Sequence, residues 1–311
     1  MKAVLPALAR PLLEPHLPAD LDIVWFASRE DAAREIVDAD IAWVDLQGSR
    51  DTAAVIALGE KLRWVSTLRA GIDAYDVAKL RAKGTVLTNG TGINANAVAE
   101  YAVMGMLVAA KRYDQVVRQA DTHEWTIVAP GTTELAGGSA LIVGYGTIGR
   151  LIGERLLAFG MSVTGVTRSG RDGTLTPGAW KARIGEFDWI VLAAPSTGDT
   201  QALIGADELA AMQPSAWLVN MARGDMIDQD ALIEALTSRR IAGAFLDTVE
   251  PEPLPSDHPL WTAPNALLSM HLSGRSQTTM FQRAAALFVD NLHAFVAGRP
   301  LRNVVDLAAG Y

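Results

Sequence analysis

The chain contains no cysteine. Disulfides, thiolate metal sites and cysteine nucleophiles are therefore excluded, and the composition fits a reducing compartment, the cytoplasm. A hydrophobic run long enough to span a membrane is missing as well. The nearest candidate, Ala97 to Ala110, holds Glu100 and is followed at once by Lys111 and Arg112, short of the roughly 20 apolar residues that a spanning helix needs. At the N-terminus, Pro6, Arg10, Pro11, Glu14 and Pro15 interrupt the apolar positions, so no signal-peptide core forms. Positive charge is not in excess: the formal net charge is −8, which argues against nucleic acid, whose phosphates are held by clustered Lys and Arg. A folded cytoplasmic protein is expected, with neither membrane nor nucleic acid as partner.

What is present suffices for two hydrophobic cores. The chain has 311 residues, 50% of them hydrophobic and 20% charged, beyond the size that one core serves comfortably. Short β-rich runs alternate with helical patterns: Lys2–Leu5, Asp22–Phe26, Ile41–Val44, Trp64–Thr67 and Thr85–Thr88, with helices expected at Asp51–Lys61 and Asp76–Lys83. Such alternation implies βαβ units and a parallel sheet, hence an α/β fold. Residues Asn94–Arg118 are rich in Ala, Val and Met without proline, and read as one long, mostly buried helix. A second series follows at Ala140–Val143, Ser162–Thr167, Trp189–Ala193, Trp217–Asn220, Ala242–Leu246 and Ala266–Ser269, with helices at Ile148–Phe159, Ala206–Met212 and Gln229–Thr237. The apolar face of the last helix, Gln277–Ala297, needs a partner, and the first domain is the expected one. The chain would then cross between domains near 92–95 and 272–277 and leave a cleft. The domains expected are 1–93 with 277–311, and 94–276.

The strand Ala140–Val143 runs into Gly144-Tyr145-Gly146-Thr147-Ile148-Gly149 and then into a helix. In such a loop the first glycine makes the tight turn and the second admits a pyrophosphate close to the backbone. The third lets the helix, whose N-terminus faces the anion, pack on the strand. Three glycines at this spacing arise readily by chance in a chain with 27 of them, so the strand before and the helix after carry the argument. The second strand ends in Thr167-Arg168-Ser169-Gly170-Arg171, with no carboxylate before Asp172. An NAD site places Asp or Glu there for the ribose 2′-hydroxyl, whereas Arg pairs with a 2′-phosphate. NADP(H) is the cofactor expected, with NAD(H) retained as an alternative in which Arg168 only stacks on the adenine.

Three polar residues follow predicted strands of the second series, where ligands of parallel sheets gather. They are Arg223 in Asn220-Met221-Ala222-Arg223-Gly224-Asp225, Glu252 in Val249-Glu250-Pro251-Glu252-Pro253, and His271 in Ser269-Met270-His271-Leu272-Ser273-Gly274. Arg offers a planar fork to a carboxylate, and His serves as general acid near neutral pH beside a carboxylate that orients it. Singly, each has a plain alternative: a loop cap, a solvated carboxylate in a Pro-rich turn, an interior histidine. Together, each after its own strand in a cofactor domain, they favour chemistry, and they are the groups that reduction of a 2-oxo acid needs.

With these segments on view, and with Thr91–Tyr101 and Glu134–Val143 beside them, the chain resembles the D-isomer-specific 2-hydroxy acid dehydrogenase family over nearly all its length. The resemblance implies two doubly wound parallel-sheet domains, a Rossmann cofactor domain inserted into a flavodoxin-like substrate domain. It implies His271 as acid/base, Glu252 as its partner, Arg223 as substrate anchor and Asp247 at the nicotinamide carboxamide. It also implies that the loop from Arg69 through Ala70 and Gly71 to Ile72 and Asp73 offers N–H groups to the substrate carboxylate. Further cofactor contacts are expected from Ala194, Pro195, Met221, Ala222, Ser273 and Gly274. A homodimer joined through the cofactor domains, with the 94–118 helix in the interface and no metal, is implied too. Glyoxylate and hydroxypyruvate are the first substrates suggested; a phosphorylated hydroxy acid or formate, or a silent nucleotide sensor of the same fold, are the alternatives.

The chain departs from the family at Leu246-Asp247-Thr248-Val249, where Asp-Val-Phe is common. Arg69 either adds a second cation to the pocket or forms a surface ion pair. Trp43, Trp125 and Trp261 either shape the cleft or pack in the core, packing being the default.

Overall fold

Short strands buried on both faces need helices on both sides, and the chain supplies them in alternation. The computed structural model describes residues 1–275 and 277–308. One unit comprises Met1–Asn94 and the chain from Gln277 on, the other Ala95–Ser276; residue 276, in the expected second crossing, lies outside the described residues.

The first unit runs β1 (Lys2–Pro6), α1 (Arg10–Leu13), β2 (Asp22–Phe26), α2 (Arg29–Glu35), β3 (Ile41–Trp43), α3 (Ser49–Ile56), β4 (Trp64–Ser66), α4 (Val77–Lys83) and β5 (Val86–Thr88). Its sheet is parallel throughout in the order β2-β1-β3-β4-β5, the flavodoxin-like order. Local signals explain the helix ends. Ser28 Oγ accepts from Asp31 N–H at 3.1 Å to start α2, and the Asp76 carboxylate accepts from Lys79 N–H at 2.9 Å to start α4. α3 stops at Ile56, short of the expected Lys61; beyond it the backbone at Gly59 runs against the Leu62 side chain, 2.3 Å from where a Cβ would stand.

The second unit runs α5 (Ala95–Lys111), α6 (Tyr113–Asp121), β6 (Ser139–Val143), α7 (Thr147–Ala158), β7 (Ser162–Val166), α8 (Pro177–Trp180), β8 (Trp189–Leu192), α9 (Ala206–Ala211), β9 (Trp217–Asn220), α10 (Gln229–Thr237), β10 (Gly243–Leu246) and β11 (Ala266–Leu268). Its sheet is again parallel, in the order β11-β10-β9-β8-β6-β7. A parallel bridge from Val166 to Leu175 adds a vestigial strand outside β7. Counting that segment third in chain order gives the Rossmann arrangement, with its switch point between β6 and β8.

The single helix expected over 94–118 is instead two. Arg112 adopts φ 48 between α5 and α6, and its guanidinium holds Asp114 at 3.2 Å and Asn265 Oδ1 at 2.8 Å. The chain at Gly131 passes so close to Lys111 and Arg112 that a Cβ there would meet their backbone at 2.4–2.7 Å. The C-terminal helix α11 (Met280–Val296) starts three residues later than expected and packs in the first unit. Its Phe288 lies 5.2 Å from Trp43 and stacks 5.1 Å from Trp64, so these aromatic rings close the core beneath the sheet. Trp43 is thus a core residue, whereas Trp125 is 93% exposed and does not pack as expected. Among the described residues no helix is long and apolar enough to cross a membrane, and no cluster of His, Asp or Glu is placed to hold a metal ion.

Candidate active site

The glycine loop follows β6 directly. Gly144 takes φ +97, and a Cβ on it would stand 2.3 Å from Ala194 N, against the end of β8. A Cβ on Gly149 would stand 2.3 Å from Gly144 O, so this glycine lets α7 sit on the loop. Gly146 differs: nothing lies within 4 Å of its Cβ position. Protein packing therefore gives no reason for a glycine there, while close approach of a ligand does. No side chain caps the N-terminus of α7, which leaves its first N–H groups for an anion. These features fit a nucleotide pyrophosphate. The Tyr145 ring packs where Cβ atoms on Gly165 and Gly153 would stand, at 2.4 and 2.6 Å, so Tyr145 serves the loop through its backbone.

Beyond β7, Thr167 Oγ1 accepts from Gly170 N–H at 3.1 Å and shares a proton with Thr174 Oγ1 at 2.7 Å. The turn bearing Arg168 and Ser169, both exposed, is thereby preformed. Ala194 and Pro195 follow β8, and the buried Met221 and Ala222 follow β9.

Arg223 is positioned from below by Asn220, which is fully buried at the end of β9. Its amide donates to Arg223 O at 2.8 Å and accepts from Ala222 N–H at 3.0 Å. Arg223 Nη1 donates to Ala222 O at 2.8 Å. Gly224 then brings the loop hard against the next one: a Cβ there would lie 2.1 Å from the Val249 carbonyl carbon. This contact presses the Arg223 and Glu252 loops together. The glycine after Arg223 was the available sequence signal for it.

His271 Nδ1 and Glu252 Oε2 are 2.7 Å apart, with both side chains partly exposed. Burial disfavours the Glu252 charge. The bond to His271 and its positive charge, the Val249 N–H and the Arg223 guanidinium outweigh burial and hold the carboxyl below its ordinary value. Met270 and His271 are both left-handed, at φ 57 and 54. Two consecutive residues with a Cβ in that region are strained, and such strain collects at functional sites.

Asp247, 2% exposed, holds this turn. Its backbone carbonyl accepts from His271 N–H. Oδ1 accepts from Ser269 Oγ at 2.8 Å, Leu272 N–H at 3.1 Å and Ser273 N–H at 3.2 Å, and Oδ2 accepts from Ser273 Oγ. Asp247 and Ser273, both expected at the cofactor, bond each other through their side chains and shape the His271 turn. Gly274 lies in the short helical turn that follows. Asn220, Gly224 and Ser269 had no role assigned from sequence.

Arg69, Ala70 and Gly71 belong to the first unit. Arg69 Nη2 donates to Leu46 O at 2.8 Å and Gln47 O at 3.0 Å, and its Nε lies 3.8 Å from the Asp45 carboxylate. Arg69 is thus tied back to its own unit. Asp45 fixes the same segment, accepting from Leu68 N–H, Thr67 Oγ1 and Trp43 Nε1, each at 2.7 Å. Asn89 Nδ2 donates to Ala70 O at 2.8 Å. Among the described residues, the N–H groups of Ala70, Gly71 and Ile72 donate to no protein acceptor, the pattern that an anion-binding loop requires.

Comparison with known proteins agrees with this geometry. Residues 103–273 match the model for the NAD binding domain of D-isomer specific 2-hydroxyacid dehydrogenases. A glycerate dehydrogenase of Methylorubrum extorquens is 32% identical over 97% of this chain and 96% of its own. A glyoxylate/hydroxypyruvate reductase B of Pectobacterium carotovorum is 33% identical over 79% of each. The solved NADPH-dependent glyoxylate/hydroxypyruvate reductase of Sinorhizobium meliloti, in complex with NADP and malonate, superposes with a TM-score of 0.81 at 26% identity, covering 99% of this chain and 97% of that one. With the domain model matched over more than half of its length and a relative aligned along nearly all of it, the chain belongs to the D-isomer specific 2-hydroxyacid dehydrogenase family.

Proposed function

We propose that the protein reduces a small 2-oxo acid, of the glyoxylate or hydroxypyruvate kind, to the D-2-hydroxy acid with NADPH. The observation that carries this reading is the 2.7 Å pairing of His271 Nδ1 with Glu252 Oε2, beside the Arg223 charge and held by a strained, anchored turn. A nicotinamide nucleotide held along the 144–149 loop would supply the hydride for the keto carbon. Glu252 accepts from Nδ1, which leaves Nε2 of the imidazolium to hand its proton to the carbonyl oxygen. Arg223 offers its fork to the substrate carboxylate and favours charge building on the oxygen. The 94–276 segment is the cofactor domain, and the 1–93 segment with the C-terminal helix is the substrate domain. The N–H groups of Ala70 to Ile72 are suited to a carboxylate. Arg168, on its preformed turn, favours the 2′-phosphate.

The reading extends to a homodimer formed through the cofactor domain. α5 and α7 present Val103, Met104, Leu107, Val108 and Phe159 around one apolar hollow, and Ile127 and Val128 are 92% and 73% exposed. An apolar surface of this kind on a soluble enzyme marks an interface. Sedimentation analysis checks it: a monomer at micromolar concentration removes the dimer from the account.

The deciding experiment follows NADPH and NADH oxidation against a panel of 2-oxo acids. Turnover that requires the oxo acid and runs faster with NADPH supports the proposal. Tight nucleotide binding without turnover of any acid replaces it with the sensor.

A further inference from the structure

The loop that carries Glu252 is tied at Val249, whose N–H donates to Glu252 Oε1 at 3.2 Å and whose backbone abuts Gly224, but its next residues have no ladder of their own. Residues Glu250 to Pro253 are all exposed and belong to no helix or strand. A carboxylate on such a loop stays on an imidazole only if the backbone is fixed from outside. Gln229, the first residue of α10, provides a clamp. Its Oε1 accepts from Glu250 N–H at 3.2 Å and its Nε2 donates to Glu250 O at 2.5 Å. The side-chain amide thus pairs with Glu250 as a neighbouring strand would, two residues ahead of Glu252.

Both ends of the clamp are themselves anchored. The Asp228 carboxylate starts α10 by accepting from Ala231 N–H at 3.1 Å, and Gly224 lets the preceding loop abut Val249. Gln229 Nε2 also lies 3.3 Å from His258 Nε2, whose Nδ1 accepts from Leu260 N–H at 3.2 Å. Past Glu252 the loop is pinned again, where Trp261 Nε1 donates to Pro255 O at 2.8 Å. Trp261, left open by its sequence between cleft and core, is neither packed nor idle.

We propose that Gln229 is a positioning residue: by holding Glu250 through both amide groups it keeps Glu252 on His271, and so sets turnover without touching substrate or cofactor. The proposal rests on the reading of Glu252 and His271 as the acid/base pair. Two neutral hydrogen bonds bias a loop by roughly tenfold or a little more, and small misplacements of a catalytic group lower rates by comparable or larger factors.

Gln229→Met keeps length and packing and deletes both bonds. In hydrogen exchange, the amides of Val249 and Glu250, whose N–H groups are bonded to Glu252 Oε1 and Gln229 Oε1, should exchange roughly tenfold faster, with the last turn of α10 unchanged. Turnover should fall by about 5–20-fold while KM for the oxo acid and NADPH affinity stay within about twofold. In a Glu252→Gln background the same substitution should lose less than about twofold, since its only route to the chemistry is gone. Gln229→Asn, polar but one methylene short of Glu250, should behave like Gln229→Met and guards against a folding defect of the apolar variant. Unchanged loop exchange overturns the clamp, and an equal loss in both backgrounds overturns its action through Glu252. Wild-type protein that reduces no 2-oxo acid overturns the underlying reading, a result distinct from an active wild type matched by its Gln229→Met variant, which overturns the proposal alone.

Discussion

Replacing Asp247 by asparagine should loosen the His271 turn far more than the similar shapes of the two side chains suggest. Met270 and His271 are both left-handed, at about 1–2 kcal/mol for each residue with a Cβ. The anchor must therefore offset roughly 2–4 kcal/mol of strain. The Asp247 carboxylate accepts four hydrogen bonds, two from serine hydroxyls and two from backbone N–H groups. Bonds to a charged acceptor contribute about 1.5–3 kcal/mol each, so four exceed the strain comfortably. An amide keeps one acceptor oxygen, and the three bonds to Oδ1 fall to about 0.5–1.5 kcal/mol each when neutral. That total barely matches the strain, and the turn becomes marginal.

Asp247→Asn should then destabilise the nucleotide-free protein by about 5 kcal/mol, a fall of roughly 10–20 °C in melting temperature at the scale of a 150–250-residue domain. Asp247→Ala, which strands the buried Ser273 N–H, should fall further. Turnover of Asp247→Asn should drop about tenfold or more, because His271 leaves its place. Circular dichroism melting without nucleotide, beside steady-state rates, separates this from a carboxylate whose business is the nicotinamide. If the melting temperature of apo Asp247→Asn stays within about 1 °C while nucleotide affinity collapses, the anchoring argument is wrong.

Other outcomes follow from the same geometry. His271→Ala should lower turnover about 10²–10⁴-fold with NADPH affinity retained; a loss of only a few-fold in steady-state assays removes His271 as the acid. Thr167→Asp combined with Arg168→Ala should move the ratio of kcat/KM for NADPH over NADH toward NADH, and an unchanged ratio places discrimination elsewhere. Gly144→Ala and Gly146→Ala should separate fold from ligand. The first meets Ala194 N at 2.3 Å and should lower the melting temperature, while the second meets no atom and should weaken nucleotide binding alone; calorimetric titration beside melting distinguishes them. Glu252 is held below its ordinary value of 4.5, so its native-state contribution is complete above that value and is lost as pH falls through the depressed one. The gap in melting temperature between wild type and Glu252→Gln should therefore be widest near neutral pH and close in acid; a gap that widens in acid refutes the assignment.

The legible parts of this protein were those that local chemistry decides. Parallel strands buried on both faces read as apolar runs, and helix starts such as Asp76 and Asp228 carry their caps in the sequence. The glycine loop was legible because Gly144 and Gly149 answer to backbone contacts and Gly146 to none. The break at Arg112 was not, since neither glycine nor proline marks it. What holds Arg112 left-handed includes Asn265, 153 residues away, and no window of sequence contains that pair. The His271 turn is the sharper case. In a run of Met, His and Leu between serines only His visits the left-handed region with any frequency, and nothing local favours two such residues in succession. Its conformation is decided by a carboxylate 22 to 26 residues upstream, and the Glu252 loop is held by an amide from a different helix. The side chains proposed to react could be named from their types and their places after strands. The residues that make them effective act through backbone bonds on neighbouring loops, and such bonds leave no mark in the order of the amino acids beyond a polar residue at the end of a strand. By that asymmetry Arg223, Glu252 and His271 stand out by type and position, whereas Asn220, Ser269 and Gln229 are distinguished only by the loops they bind.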